Sequence, residues 1–209
     1  RAAGLAGDIA HRDFTINTLA VDIKILPVSK PVEHVLIDLK RGRAHLRKKK
    51  ISMVSSKAFV EDPLRMVRAF SLKAVLGFAI EPGTLAQIKR DTALLSRVAR
   101  ERVRDELFKI LSSPRAFENL KAMHRVGLLE KIIPQISLMY HLPQGGYHHL
   151  SLLEHSFEAV RQIETILVDF KDHLKISVYL EEDLAFGHSR ASLLKLAALL
   201  HDIGKPETC

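Results

Sequence analysis

The sequence of 209 residues has one cysteine, Cys209 at its last position, so no disulfide can form within the chain. A chain without disulfides fits a reducing compartment, and we expect a cytoplasmic protein. No run of about eighteen apolar residues occurs, which argues against a membrane span. Residues 1–8 have a short apolar stretch interrupted by charge, unlike a signal peptide. No period of about 20–50 residues recurs, which disfavours a repeat array.

The sequence also lacks an initiator methionine and stops just after a motif, so we expect a fragment of a longer protein. Its 47% hydrophobic and 27% charged residues are typical of a soluble globular protein with one large domain or two smaller ones. Lys and Arg number 32 against 24 Asp and Glu, which gives a net charge of +8. This basic balance favours a polyanionic partner.

The residue pattern predicts a mainly α-helical chain with a small β portion at its start. Two apolar, β-branched segments, 20–26 and 35–39, predict a hairpin that needs further strands upstream. Residues 40–50 include seven Lys or Arg. We interpret them either as a solvated turn or as a phosphate-binding patch that includes Lys48 and Lys49.

Beyond Ser55 we expect only helices. A short helix capped by Asp13 is also expected at residues 13–19. Ser113 and Pro114 predict the start of a helix, and Gly127 predicts its end. Ser189 is predicted to cap the last long helix. Residues 179–188 are interpreted as a polar connection. The predicted helices span residues 82–91, 99–111, 114–126, 128–133, 151–170 and 193–200.

The segment EDPLRMVRA at residues 61–69 begins another helix. Asp62 precedes Pro63, and the residue before a proline is kept out of the α region, as an N-cap requires, while proline fits the first helical position. Apolar residues then recur at helical spacing and predict an inward face. They are Leu64, Val67, Ala74, Val75 and Phe78.

Packing does not explain Asp62, Arg65 and Arg68, which follow at three-residue steps. An ionised Asp only accepts hydrogen bonds and an Arg only donates them. Cytosine and adenine present the complementary order on their pairing edges, whereas guanine and uracil present the reverse. Such a pair could select C or A, because the wrong base leaves buried polar groups unpaired. The alternative is a capping Asp with two solvated arginines.

His201 and Asp202 follow an apolar helix, and His155 lies 46 residues before His201. Imidazole nitrogen and carboxylate oxygen suit Mn, Fe, Ni or Zn better than Ca. Adjacent side chains do not share a helix face, so joint use requires the helix to stop there, which Gly204 allows. Taken singly, each histidine could be structural. The string HDIGK with EH upstream resembles the HD phosphohydrolase superfamily, in which a further Asp, here beyond Cys209, completes a site for one or two metals.

Three strings together resemble the class II tRNA nucleotidyltransferase and bacterial poly(A) polymerase family. They are HRDFTIN at 11–17, EDPLRMVRA at 61–69 and LGFAIEP at 76–82. The resemblance covers nearly the whole chain. It implies the end of a nucleotidyltransferase head at 1–55, a helical neck that binds nucleotide base and RNA at 56–140, and the beginning of an HD-type domain at 141–209.

The family motifs also imply roles for residues. Arg12 would contact the nucleotide, and Asp13 would help to hold the ribose 2′-OH. Asp62 and Arg65 would select the base, and Arg68 would contact the nucleotide or its triphosphate. With Asn17, the implied nucleotide-binding set is Arg12, Asp13, Asn17, Asp62, Arg65 and Arg68.

The sequence departs from the family pattern at His11 and Ser71, where the family often has arginine, so one phosphate contact is lost or supplied elsewhere. The implied RNA-binding residues are basic and include a stripe at helical spacing. They are Arg97, Arg100, Arg104, Lys48 and Lys49.

The family transfers nucleotides with two metal ions held by a DxD motif in the head. No DxD occurs here, and Asp22 and Asp38 stand singly. The resemblance therefore implies a parent enzyme that adds C, A or both from CTP and ATP to tRNA, with Mg²⁺ bound outside this chain and no transfer by the chain alone. CCA, CC, A and poly(A) addition stay open. The alternatives are an HD-type phosphohydrolase with a divalent transition metal at His155, His201 and Asp202, and a non-catalytic RNA-binding module.

Overall fold

The computed structural model describes residues 4–22, 36–140, 151–185 and 187–208. Within these residues the chain is mainly helical, and its strands form short two-stranded sheets. The predicted fold class is therefore confirmed. The middle of the predicted hairpin lies outside the described residues.

The first part of the chain holds the small β portion. Its elements are α1 (Gly4–Ala10), a 3-10 helix (Thr15–Asn17), β1 (Ala20–Val21), β2 (Leu36–Ile37), α2 (Gly42–Arg47) and β3 (Lys50–Ile51). Strands β1 and β2 pair antiparallel, as the hairpin prediction requires. The carboxylate of Asp38 accepts hydrogen bonds from the backbone N–H groups of Gly42 at 2.7 Å and Arg43 at 3.1 Å, so this aspartate caps α2.

The middle part is a succession of helices interrupted by one strand. Its elements are α3 (Ala58–Glu61), α4 (Leu64–Leu76), β4 (Ala79–Ile80), α5 (Pro82–Asp91), a 3-10 helix (Thr92–Arg97), α6 (Arg100–Leu111), α7 (Ala116–Arg125), α8 (Leu129–Ile132) and a 3-10 helix (Pro134–Met139). The prediction of only helices beyond Ser55 is wrong, because β4 pairs parallel with β3. Gly77, with φ of 69°, ends α4 and turns the chain into β4. Gly127 ends α7 in the same left-handed conformation, as predicted.

The last part contains the longest helix. Its elements are α9 (Leu152–Asp169), α10 (Leu174–Glu181), β5 (Asp183–Ala185), β6 (His188–Ser189), α11 (Arg190–Leu200) and α12 (Lys205–Thr208). The hydroxyl of Ser189 accepts a hydrogen bond from the Ser192 N–H, which confirms the predicted cap. The interpretation of residues 179–188 as a polar connection is wrong, since they contain the end of α10 and the antiparallel β5–β6 pair.

Helix α4 begins one residue later than the sequence predicts. Pro63 takes the N-cap position and Asp62 lies just outside the helix. Asp62 Oδ1 still accepts a hydrogen bond from the Leu64 N–H at 3.2 Å, so the aspartate satisfies one of the unpaired N–H groups at the helix start. Of the residues predicted to face inward, Leu64, Val67 and Ala74 are buried. Val75 is 64% exposed, against prediction.

One hydrophobic core runs from Phe14 to Leu199. Helix α4 packs against α6 and α7, α7 packs against α9, and α9 packs against α11, which also contacts α6. The helices on both sides of residues 141–150 therefore share one core. The predicted domain boundaries stay predictions.

An ion pair between buried Lys195 and partly buried Glu164 joins α9 and α11 to the end of α6. Lys195 Nζ donates to the carbonyl of Ser113 at 2.6 Å and lies 3.6 Å from Glu164 Oε1. Glu164 Oε1 in turn accepts hydrogen bonds from the N–H groups of Ala116 at 2.6 Å and Phe117 at 3.3 Å. Burial raises the pKa of Glu164 and lowers the pKa of Lys195, because the interior disfavours both charged forms.

This contact also explains why the predicted start of α7 is wrong. Pro114 does not begin the helix; α7 begins at Ala116, and the Ser113 hydroxyl accepts a hydrogen bond from the Arg115 N–H. The cap comes from Glu164, which is distant in sequence. Local signals at Ser113 could not reveal it.

We predict that Lys195→Met lowers the free energy of unfolding by about 3 kcal/mol, because it leaves the Glu164 carboxylate buried without its counter-charge. The double variant Lys195→Met/Glu164→Gln should recover most of this loss, since it removes both charges and keeps an acceptor for α7. Urea unfolding of the single and double variants tests the prediction. Equal losses in both would contradict it.

We predict that Gly77→Ala destabilises the protein by about 1–2 kcal/mol, because an L-residue is strained at positive φ. The added Cβ would also overlap the Arg115 guanidinium. Gly83→Ala is the matched control, since Gly83 lies in α5 with no heavy atom within 4 Å of the added Cβ. Thermal and urea unfolding should show a loss at Gly77 and no loss at Gly83.

Candidate functional site

A pocket of about 200 Å³ lies where the first turns of α4 and α6 meet the turn after α1. Its lining is mostly charged and comes from segments far apart in sequence. The lining residues are Asp13, Asp62, Leu64, Arg65, Arg68 and Arg102. Four of the six predicted nucleotide-binding residues are therefore brought together at one place.

Asp62 is held at both carboxylate oxygens. Oδ1 accepts the hydrogen bond from the Leu64 N–H, and Oδ2 accepts one from Arg102 Nη2 at 3.1 Å. Arg102, in the first turn of α6, is a pocket residue that the sequence analysis missed. The signal available was the string RERV at residues 100–103, which lies in the segment 56–140 that the resemblance assigns to the neck, without a role for this arginine.

Arg65 points its guanidinium at main-chain carbonyls on the other side of the pocket. Its terminal nitrogens donate to the carbonyls of His11 at 2.5 Å, Ala58 at 3.2 Å and Arg12 at 3.4 Å. A weak ion pair with Glu61 at 3.5 Å adds to these contacts. The arginine is thus held in place, and its side chain is only 16% exposed.

Asp13 and Arg68 form an ion pair across the pocket. The distance from Arg68 Nε to Asp13 Oδ2 is 2.8 Å. Asp13 Oδ1 accepts hydrogen bonds from the Phe14 N–H at 2.7 Å and from Asn17 Nδ2 at 3.0 Å. Because Asp13 is engaged in these contacts, it does not cap a helix at 13–19; only the short 3-10 helix Thr15–Asn17 forms there.

Two predicted nucleotide-binding residues do not line the pocket. Asn17 lies behind it and orients Asp13. The Arg12 side chain bonds Asp8 Oδ2 at 3.0 Å and the carbonyl of Asn17 at 2.7 Å. The main-chain carbonyl of Arg12, rather than its side chain, contacts a pocket side chain, that of Arg65.

The two departures from the family pattern have different surroundings. His11 Nδ1 lies 3.3 Å from Glu61 Oε2 at the margin of the pocket. Ser71 is buried and donates a hydrogen bond to the carboxylate of Glu106 on α6. A buried serine in this contact cannot reach a phosphate, so Ser71 does not replace the missing arginine.

The predicted basic stripe is not a single helical face. Arg97 ends a 3-10 helix and Val98 is extended, so only Arg100 and Arg104 lie on α6. Arg104 Nη2 pairs with Asp105 at 2.8 Å, while Arg97 and Arg100 are exposed. Lys48 and Lys49 are also exposed, between α2 and β3. Their RNA-binding role stays a prediction.

A second cluster is formed by His155 on α9 and by His201 and Asp202 at the end of α11. The two Nε2 atoms lie 3.2 Å apart, and Asp202 Oδ2 lies 3.2 Å from His201 Nε2 and 3.9 Å from His155 Nε2. Ligands about 2.1 Å from one ion lie roughly 3.0–4.2 Å from each other. The three atoms are therefore spaced as ligands of one metal ion would be.

The end of α11 and nearby hydrogen bonds position the side chains of this cluster. Helix α11 ends at Leu200, which confirms the expectation that the helix stops before the His–Asp pair. His201 Nδ1 lies 2.9 Å from the carbonyl of Ala198, so a proton on Nδ1 would leave Nε2 with its lone pair toward the cluster. Lys205 Nζ donates to Asp202 Oδ2 at 2.7 Å. Burial acts to raise the pKa of Asp202, but this hydrogen bond and the nearby charges lower it overall.

None of the helices in the described part of the chain has the length and apolar character needed to cross a bilayer.

Comparison with known proteins bears on the first pocket. Residues 77–139 match the family described as "Probable RNA and SrmB- binding site of polymerase A". The chain is 34% identical over 209 residues to an A-adding tRNA nucleotidyltransferase of Deinococcus radiodurans. It is 32% identical over 209 residues to a CC-adding tRNA nucleotidyltransferase of Thermus thermophilus.

Nearly the whole chain is thus similar to tRNA nucleotidyltransferases. The alignments cover 98% of the chain but only 42% and 41% of those two relatives. A crystal structure of a tRNA nucleotidyltransferase complexed with a primer tRNA and an incoming ATP analog shares the fold, with a TM-score of 0.70 over 97% of this chain and 51% of that one. Its sequence identity is 24%.

Proposed function

We propose that this chain is the nucleotide-selecting part of a tRNA nucleotidyltransferase that adds C, A or both from CTP and ATP to the 3′ end of tRNA. The observation that supports the proposal is the pocket in which Asp62, Arg65, Arg68 and Asp13 converge from two segments far apart in sequence. The similarity to A-adding and CC-adding tRNA nucleotidyltransferases agrees with it.

In this proposal, the base edge meets a preorganised acceptor and donor. The Asp62 carboxylate accepts a hydrogen bond from the amino group of cytosine or adenine, and Arg65 donates a hydrogen bond to the neighbouring ring nitrogen. Main-chain carbonyls hold Arg65, and the Leu64 N–H and the Arg102 side chain hold Asp62 before a nucleotide binds. Fixed partners cost little to order on binding, and they penalise guanine or uracil because like groups would face one another.

The remaining pocket residues suit the ribose and the phosphates. Three arginines face two aspartates around the pocket, so the formal charge is positive and attracts a triphosphate. Asp13 would accept a hydrogen bond from the ribose 2′-OH while it pairs with Arg68, whose side chain is 47% exposed.

Transfer itself needs divalent metal ions, which activate the attacking 3′-OH and stabilise the leaving pyrophosphate. We propose Mg²⁺, held by carboxylates of the intact protein outside this chain, since the 209 residues contain no DxD motif. Arg97, Arg100, Lys48 and Lys49 would hold the tRNA backbone, in a salt-dependent manner. A cytoplasmic location is part of the same proposal.

We predict that Asp62→Ala and Arg65→Ala in the full-length protein each lower the preference for ATP and CTP over GTP and UTP by about tenfold or more, because a base-edge contact is lost. The assay is nucleotide incorporation into tRNA that lacks its 3′ end, with each nucleotide supplied separately.

Glu158 and Arg161 on α9 provide a matched control. They stand at the same i, i+3 spacing and form an exposed ion pair at 2.5 Å. Glu158→Ala and Arg161→Ala should leave nucleotide preference unchanged. Wild-type preference in both pocket variants would refute base selection by this pair.

The spacing of His155, His201 and Asp202 favours a second candidate function, metal-dependent phosphoester hydrolysis. These residues would hold a divalent ion such as Mn, Fe, Ni or Zn, and a bound ion would activate a water molecule. The chain would then carry two separate activities. This candidate does not depend on the nucleotide pocket.

We predict that the full-length protein binds Mn²⁺ or Zn²⁺ and that His201→Ala lowers the affinity by about 10- to 100-fold, since a ligand is lost. Titration calorimetry and metal analysis after dialysis provide the measurement. His173→Ala removes a histidine outside the cluster and should have no effect. A wild-type protein that retains neither metal would eliminate this candidate.

A further inference from the structure

The ion pair between Arg102 and Asp62 has a position that calls for a functional explanation. It joins the first turn of α6 to the residue just before α4, and both side chains line the nucleotide pocket. The side chains are 55% and 31% exposed. Exposed ion pairs of this kind contribute little to stability, because solvent screens them. Its contribution to folding is therefore expected to be small.

A carboxylate that selects a base must keep its orientation as well as its position. Productive geometry in such sites is held within about 0.5 Å and 10–20°. The hydrogen bond from the Leu64 N–H fixes Oδ1 of Asp62 but leaves the plane of the carboxylate able to rotate about that contact. The bond from Arg102 to Oδ2 removes this freedom.

The other cations of the pocket are committed elsewhere. The terminal nitrogens of Arg65 bond the carbonyls of His11 and Ala58, and Arg68 Nε bonds Asp13. Arg102 is thus the arginine that orients Asp62. A carboxylate oxygen has two lone pairs, so Oδ2 can accept from Arg102 and from the amino group of a base at the same time.

We propose that Arg102 is a positioning residue for base selection: it holds the Asp62 carboxylate in the plane in which that group accepts a hydrogen bond from the amino group of cytosine or adenine. The proposal rests on the function proposed above. It assigns to α6 a part in choosing the nucleotide, in addition to its packing against α4.

The test is Arg102→Met in the full-length protein, which keeps the apolar stem and removes the donor. The readout is kcat/KM for ATP, CTP, GTP and UTP on tRNA that lacks its 3′ end. We expect the preference for ATP and CTP over GTP and UTP to fall about tenfold. Arg102→Lys keeps a charged donor and should restore part of the preference. Unchanged thermal unfolding would show that the fold is intact.

Arg161→Met is the matched control, because Arg161 forms an ion pair of similar exposure with Glu158 on α9. The side chains of Arg161 and Glu158 are 50% and 34% exposed. It should leave the preference unchanged. In an Asp62→Ala background, Arg102→Met should cause no further loss of preference, since the group that it positions is gone.

Three results would overturn the proposal. An equal loss of kcat/KM for all four nucleotides would show that Arg102 contacts phosphate or RNA. An equal gain would show that Arg102 blocks the pocket. If Asp62→Ala alters nucleotide preference but Arg102→Met does not, only this inference fails; if Asp62→Ala and Arg65→Ala also keep wild-type preference, the proposed function fails as well.

Discussion

The packing of α4 against α6 is the contact on which the nucleotide pocket depends. The apolar faces of both helices are buried together, and the buried hydrogen bond between Ser71 and Glu106 lies within this contact. Because the two helices meet in this way, their first turns lie side by side. Each first turn carries arginines that would repel one another without acidic partners, and Asp62 and Asp13 supply those partners.

The pocket is preorganised mainly by main-chain groups. Carbonyls of the segment after α1 and of α3 hold Arg65, and an N–H group of α4 holds Asp62. Main-chain contacts of this kind depend on the fold rather than on neighbouring side chains. A site built in this manner can discriminate between bases, because its donors and acceptors do not rearrange to suit the wrong one.

The second half of the chain is tied to the first by burial and by charged contacts. Glu164 on α9 caps α7, and Lys195 on α11 bonds the end of α6. The His155, His201 and Asp202 cluster lies on the same two helices, α9 and α11. The helices that carry the proposed metal ligands are thus also the helices that pack against the predicted neck.

The sequence by itself determined the mainly helical class, the resemblance to tRNA nucleotidyltransferases, and the residue types of the pocket. Helix α5 has the predicted bounds, and Gly127 and Ser189 act as predicted, because these features depend on local propensity and capping. The tertiary structure alone decided which charges meet. Arg102 pairs with Asp62 across 40 residues and Glu164 caps α7 across 48, and no local pattern encodes either contact. It also placed Arg97 outside α6 and paired β4 with β3, since packing between distant segments outweighs the preferences of a short stretch of chain.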